Sequence, residues 1–226
     1  MFDRLELLIG RDNLKIIKTK KILVVGEGGV GGSVITSLVR SGIENITVID
    51  FDEVDITNLN RQMVAYHSTI GKKKVDVIES IVKDINPKCI VNKYDLFLDK
   101  DNIDEIFDRV TPDFIIDCCD SKETKKEIIK KALSTNTPFI SSMGTGNRLD
   151  PSKLEIMDIR KTEGDPLARI MRKWVNDEKI KEKIPVLCSK EIPLYKGTTV
   201  ASSAFVPNSA GLLISSYVIR KIIGKN

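Results

Sequence analysis

The 226-residue chain has 36 Lys and Arg against 32 Asp and Glu, a formal charge of +4, with 41% hydrophobic and 30% charged residues. That is the balance of a globular protein, and no apolar run approaches the roughly 20 residues that span a bilayer. A single histidine, His67, and four cysteines without a C-x-x-C pair exclude a Ser-His-Asp triad, a His-based metal site and a paired-thiolate zinc cage. Chemistry is left to carboxylates, Lys, Arg, backbone N–H groups and at most one Cys. The start, "MFDRLELLIGRDNL", contains acids and no small-residue cleavage site, so a cytoplasmic protein without a signal peptide is expected.

In chain order, "KKILVVG" predicts a buried strand, and "GGSVITSLVRSG" has helical spacing closed by Gly42. "NITVIDFD" is the next strand, and "KKKVDVIESIVKDINP" a helix that stops at Pro87. "CIVNKYD" follows as a strand and "DKDNIDEIFDRV" as a short helix with an Asp cap. "PDFIIDCCD" is an apolar strand ending in acids, "SKETKKEIIKKALSTN" a helix, and "TPFISSMG" a fifth strand. Strands with continuous apolar runs, alternating with helices, predict a Rossmann-like α/β fold: a doubly wound, mostly parallel sheet with helices on both faces.

After Gly146 the pattern loosens. "KLEIMDIR" reads as a strand, "DPLARIMRKWVNDEKIKEK" as a helix opened by Asp165 and Pro166, and "PNSAGLLISSYVIRKIIG" as a closing amphipathic helix. Residues 177–204, with their charges, Pro185, Pro193 and Gly197, read as a mobile loop around a short strand. The expected organisation is one domain over residues 1–226. Within it, 1–145 form a nucleotide-binding core and 146–226 an elaborated C-terminal extension.

Gly26, Gly28 and Gly31 satisfy G-x-G-x-x-G between a strand and a helix, where backbone N–H groups can meet phosphate. Asp50 follows at the end of the second strand, where an acid can hold ribose hydroxyls. NAD and ATP fit these features equally. "DFDEVDITNLNRQ" then gathers Asp52, Asn58, Arg61 and Gln62 in one polar loop, which suits phosphates and not a neutral nicotinamide pocket. Lys72, Lys73 and Lys74 stand at a helix start, where cations oppose the macrodipole, so a triphosphate is the better reason for them. Of the two acids in "DCCD", Asp117 reads as structural and Asp120 as the acid beside Mg²⁺. The lysine-dense "SKETKKEIIKKAL" and the basic stretch 169–183 read either as solvated helix faces or as a nucleic-acid surface.

"GEGGVGG", "VIDFDEVDITNLNRQ", "GKKK" and "DCCD" together resemble the nucleotide site of the ubiquitin-activating-like adenylyltransferases, the ThiF/MoeB superfamily. The resemblance implies ATP and Mg²⁺, with Gly29 at the phosphates beside Gly26, Gly28 and Gly31. It puts Asp50 at the ribose, Asn58, Arg61 and Lys74 at the triphosphate, and Asp120, beside Ser121, at the metal. It also implies a homodimer in which Arg4 reaches the partner's ATP. "SSMGTGNRLDPSKLEIMDIRKTEGDPLARIMRKW" narrows the resemblance to the tRNA threonylcarbamoyladenosine dehydratases. This closer resemblance implies adenylation of the carboxylate of threonylcarbamoyl-adenosine in tRNA, then closure by an internal nitrogen, with Arg61, Lys74 and Asp120 as catalytic groups.

On the same ground Arg148, Arg169, Arg172 and Lys173 are candidates for tRNA contact. Trp174 is a base-stacking residue or a core anchor. Cys188 is a loop nucleophile or a plain thiol, and Cys89, Cys118 and Cys119 are core residues. A cysteine desulfurase or other sulfur-acceptor partner is a further expectation. The rival readings are an adenylyltransferase for a small ubiquitin-like sulfur-carrier protein, an NAD-dependent oxidoreductase, and a non-catalytic binding relative.

Overall fold

Residues alternating apolar to both sides can form a strand only if both faces are covered, and the chain supplies helices for each face. The computed structural model describes residues 1–195 and 197–225. Strands β1 (Lys21–Val25), β2 (Asn45–Ile49), β3 (Ile90–Tyr94), β4 (Phe114–Asp117), β5 (Phe139–Ser142), β6 (Leu154–Asp158) and β7 (Pro185–Ser189) form one sheet. The order is β3-β2-β1-β4-β5-β7-β6, and every pairing is parallel except that of β6 with β7. The helices are α1 (Asp3–Ile9), α2 (Arg11–Thr19), α3 (Gly29–Arg40), α4 (Lys74–Ile85), α5 (Ile103–Val110), α6 (Lys122–Ser134), α7 (Pro166–Asp177) and α8 (Phe205–Ile222). Ile22 and Val24 of β1 face the cluster built with α3, α4 and α8, whereas Leu23 and Val25 face the one built with α5, α6 and α7. The expected doubly wound fold is present, and among the described residues no helix is long and apolar enough to cross a membrane.

Neighbouring β1 and β4 send their crossovers in opposite directions, which opens a crevice at their carboxyl ends. The turn after β1 presses against the turn after β4: Gly26 has φ 89°, and a Cβ there would lie 2.8 Å from the backbone N of Cys119. Gly31 is equally constrained, since its Cβ would lie 1.7 Å from Gly26 O. These two glycines are therefore packing requirements of the turn.

Two expectations need correction. The short strand expected within residues 177–204 is present as β7, but it is an interior strand between β5 and β6, and Cys188 on it is 1% exposed rather than in a loop. The remainder is pinned to neighbouring segments, with Leu194 N–H donating to Asn147 O (2.8 Å) and Ala201 N–H to Asn147 Oδ1 (2.7 Å); Lys196, within that span, lies outside the described residues. The cap of α5 is Asn102, not an Asp, and its Oδ1 accepts from Asp99 N–H at 3.0 Å. Residues before β1, unassigned from sequence, form α1 and α2. Of the two roles open to Trp174, the structure selects the core anchor, 9% exposed.

Lys125, within the lysine-dense run, is neither a solvated face nor a nucleic-acid contact. Its ammonium is wholly buried 3.0 Å from Asp117 Oδ2 and donates to Ser142 O (2.7 Å) and Ser141 Oγ (3.3 Å). The Ser141 hydroxyl donates to Asp117 Oδ2 at 2.5 Å. Burial opposes the charge, but Asp117 outweighs it and holds the Lys125 pKa above its ordinary value. Asp117 thus has the structural role expected of it. Removing one partner strands the other charge, so Lys125→Ala should lose about 3–5 kcal/mol in urea unfolding, whereas Lys130→Ala, at an exposed lysine of the same helix, should lose less than about 1 kcal/mol.

Candidate functional site

The crevice is a cleft of about 1170 Å³ at the carboxyl edge of the sheet. Of the residues expected in the ATP site, Gly26, Gly28, Gly29, Asp50, Asn58, Arg61, Lys74, Asp120 and Ser121 line it. Gly31 lies beneath the turn and does not line the cleft, and neither does Arg4, which is exposed on α1.

The phosphate side is built from backbone. Helix α3 begins at Gly29 with no side-chain cap, and its first closed turn is Gly32 N–H to Gly28 O (3.0 Å), so the N–H groups ahead of it point outward. A Cβ on Gly28 would meet only Gln62 Nε2, at 3.9 Å, so protein packing does not explain a glycine there. Gly29 differs: its Cβ would lie 2.9 Å from Pro207 Cβ, so this glycine admits the start of α8.

Asp50 joins β1 to β2. Its Oδ2 accepts from Glu27 N–H (2.6 Å) and its Oδ1 from Asp52 N–H (2.8 Å). Burial raises its pKa, with Lys74 pulling the other way. The three lysines diverge. Lys72 is exposed, Lys73 pairs with Glu53 and Asp95, and Lys74 alone enters the cleft, 4% exposed, with Nζ 2.7 Å from Asp52 Oδ2. Asn58 closes a capping box on the 3₁₀ turn 56–58, and Arg61 donates through Nη1 to Thr57 O (2.8 Å) and Asn60 Oδ1 (3.0 Å). The Nε and Nη2 groups of Arg61 have no protein partner among the described residues.

Ser121 caps α6, its Oγ accepting from Thr124 N–H at 3.3 Å. Asp120 beside it is exposed and makes no ion pair among the described residues. No group of three or more His, Cys, Asp or Glu could cage a metal among those residues. A lone free carboxylate facing a phosphate-binding turn is a donor set that fits Mg²⁺, which takes one or two carboxylates plus substrate phosphates.

The other rim is held by Arg148, the one tRNA candidate that the structure removes. Its guanidinium is buried, 3.1 Å from Asp165 Oδ2, and donates to Gly144 O (2.9 Å) and Gly146 O (3.0 Å). Asp165 also caps α7 through Ala168 N–H at 2.6 Å. Arg172 is half-buried and bonded to Thr162, whereas Arg169 and Lys173 are exposed. None of the thiols is activated: burial pushes Cys188 and Cys89 up to about 11 and holds Cys118 and Cys119 well above the ordinary thiol value. His67 is exposed on a 3₁₀ turn and does not line the cleft.

Sequence reasoning missed Glu27, the second residue of the glycine-rich turn. It is 0% exposed and neither carboxyl oxygen has a hydrogen-bond partner among the described residues. Burial, followed by repulsion from Asp50, raises its pKa well above the ordinary 4.5, against the pull of Lys74. The aromatic pair Phe51 and Phe97, edge-on at 5.3 Å and lining the cleft, was also not foreseen.

An open phosphate-binding helix start, a buried carboxylate at the end of β2 and a lysine at the head of α4 define a nucleotide-binding α/β protein of the adenylating type. The ThiF family pattern matches residues 2–224, and the chain belongs to the ThiF family. It is 36% identical over 240 residues to the tRNA threonylcarbamoyladenosine dehydratase of Bacillus subtilis, covering 98% of this chain and 94% of that one. The Escherichia coli enzyme of the same name is 33% identical over 205 residues, 90% of this chain and 74% of the relative. The structure of E. coli TcdA with ATP superposes with a TM-score of 0.93 at 30% identity, over 99% of this chain and 93% of that one.

Two predictions separate packing glycines from ligand glycines and locate the Glu27 proton. Gly28→Ala should change stability by about 1 kcal/mol or less and weaken ATP binding about tenfold or more in calorimetry. Gly31→Ala should unfold or destabilise the chain by about 3 kcal/mol. Because its pKa is raised, the contribution of Glu27 is fully present below the ordinary value of 4.5 and is lost as pH rises through the folded-state pKa. Glu27→Gln should therefore gain stability over the wild type between about pH 4 and about pH 7; parallel curves in urea melts would show an ionised, paired carboxyl instead.

Proposed function

We propose that the chain is an ATP-dependent tRNA threonylcarbamoyladenosine dehydratase. The observation that carries this reading is one cleft combining outward N–H groups, Lys74, Arg61 and an unpaired Asp120, in a chain that matches dehydratases of that name over 98% and 90% of its length. Residues 1–226 act as one adenylation domain, with 1–145 carrying the nucleotide and 146–226 shaping the substrate side.

The turn at Gly28 and Gly29 receives phosphate oxygens, and Asp50 holds the ribose. Lys74 exchanges its bond to Asp52 for the triphosphate, and Arg61 turns its free Nε and Nη2 to the same oxygens. With charge on the phosphates neutralised, the threonylcarbamoyl carboxylate attacks the α-phosphorus and pyrophosphate leaves. The internal nitrogen then attacks the activated carbonyl carbon, gives up its proton, and AMP leaves. Both reacting groups sit on one nucleoside, so tethering supplies much of the rate, and no thioester step is required of the four buried or unactivated thiols. Asp120 would hold Mg²⁺, which neutralises phosphate charge when bound.

Arg169 and Lys173 on the exposed face of α7 contact the tRNA backbone, with Arg172 partly committed to Thr162. Leu7 and Leu8, 88% and 76% exposed beside Arg4, support a homodimer in which this helix is covered and Arg4 reaches the partner's nucleotide. A tRNA substrate implies a cytoplasmic site of action, and a cysteine desulfurase or sulfur acceptor is retained as a partner class.

Incubation with Mg·ATP and threonylcarbamoylated tRNA should yield a nucleoside lighter by one water in mass spectrometry, with no effect on NADH. ATP use stimulated by a carrier protein ending in Gly-Gly, and not by tRNA, would promote the sulfur-carrier reading. Asp120→Ala should lower turnover about 10²- to 10³-fold while leaving the melting temperature unchanged; full activity would remove Asp120 from the site.

A further inference from the structure

A second cavity, of about 250 Å³, opens at the amino-terminal edge of the sheet, opposite the nucleotide cleft. Strand β7 runs parallel to β5, so Pro185 at its start lies at the edge away from Ser142 and Asp117. Helix α8 connects the two ends. Pro207, near its start, lines the nucleotide cleft, while Arg220, near its end, lines this cavity. The separation along the helix is about 20 Å at 1.5 Å per residue.

Four cations from three segments converge here: Lys183 before β7, Arg220 and Lys221 in the last turn of α8, and Lys225 beyond it. No acid lines the cavity among the described residues. Near the same sheet edge Lys18 and Lys20 are neutralised by Glu44 and Asp113, whereas Lys183 and Arg220 have no carboxylate partner among the described residues. Tyr217 forms part of the wall, half-buried edge-on to Phe114 at 6.5 Å, with the Lys221 ammonium 5.6 Å from its ring centroid. Complementing the macrodipole accounts for Arg220 and Lys221 at the end of α8. It does not account for Lys183, which comes from another element, or for Lys225 outside the helix. Lys183 and Arg220, converging beside an aromatic wall with no carboxylate partner among the described residues, match the electrostatic footprint of a nucleic-acid backbone site.

We propose that this basic cavity anchors the phosphodiester backbone of the substrate RNA, about 20 Å along α8 from the nucleotide cleft. The proposal rests on the reading of the chain as a tRNA-modifying enzyme and deepens it. The nucleotide cleft recognises one nucleoside, and the cavity supplies sequence-independent affinity and register on a helical stem reaching the opposite edge of the molecule. Phosphate contacts position an RNA without reading its bases, so this anchor serves any tRNA that carries the modification.

The test is the double variant Lys183→Gln/Arg220→Gln, neither residue being part of the nucleotide cleft. tRNA affinity is measured against salt concentration with both unmodified and threonylcarbamoylated tRNA, and ATP affinity, melting temperature, KM and kcat are measured alongside. The expected result is about tenfold weaker binding of both tRNAs, with the slope of log K against log salt reduced by between about 1 and 2. KM for tRNA should rise in proportion, with kcat at saturating tRNA and ATP affinity unchanged. The pair Lys183→Arg/Arg220→Lys should bind as the wild type does.

Unchanged tRNA affinity and salt slope in the folded Gln variant would overturn the proposal. Loss of inorganic phosphate binding with tRNA affinity intact would also overturn it, making the cavity a small-anion site. A wild type that binds unmodified tRNA through these residues but never closes the ring would uphold the anchor and refute the dehydratase reading. A wild type that closes the ring, with a variant indistinguishable from it, would uphold the dehydratase reading and refute the anchor.

Discussion

The buried pair of Asp117 and Lys125 is the constraint on which the rest of the carboxyl edge depends. An ammonium and a carboxylate with no water must satisfy every remaining hydrogen-bonding position from protein, and here Ser141 and Ser142 do so. One ion pair therefore fixes the end of β4, the direction of α6 and the end of β5 relative to one another. Cys119, Asp120 and Ser121 continue directly from Asp117, so the rim that carries Asp120 is set by a bond deep beneath it. Gly26, pressed against the Cys118–Cys119 backbone, extends the same constraint to β1.

The cleft divides its polar groups: some, such as Lys74 on Asp52, are satisfied within the protein, and others are left free. Asp50 uses both oxygens on backbone N–H groups, and Arg148 uses its guanidinium on Asp165 and two carbonyls. Asp120, two nitrogens of Arg61 and the N–H groups at the start of α3 remain for a ligand. Glu27 fits neither group, because it is buried in the phosphate turn with no hydrogen-bond partner for either oxygen among the described residues. Lys74 pulls against the rise in the Glu27 pKa without reversing it.

Much of the parallel core was legible in the sequence, and most of the residues expected around a nucleotide do line the cleft, because their signals are local. A strand, a glycine turn and a helix occur within about twenty residues, and Asp50, Asn58, Arg61 and Lys74 follow at fixed offsets. A short strand was legible within residues 177–204, but its place inside the sheet was not, because its partners β5 and β6 lie far away in sequence. Lys125 and Arg148 were misread for the same reason. A lysine among lysines and an arginine in a basic third look solvent-facing until a carboxylate from another element meets them.

The sequence alone determined the strand–helix alternation, the glycine-rich turn after β1 and the polar residues that follow it at fixed offsets, since periodicity and glycine chemistry act between near neighbours. Tertiary structure decided which charges are buried and which are free. It selected Lys74 from three consecutive lysines, withdrew Arg148 from the surface, placed Cys188 in the core, and gathered Lys183 and Arg220 at an edge with no carboxylate partner among the described residues. The reason is that the state of a charge depends on its distance from water and from opposite charge, and both are set by chain segments that meet only in the folded protein.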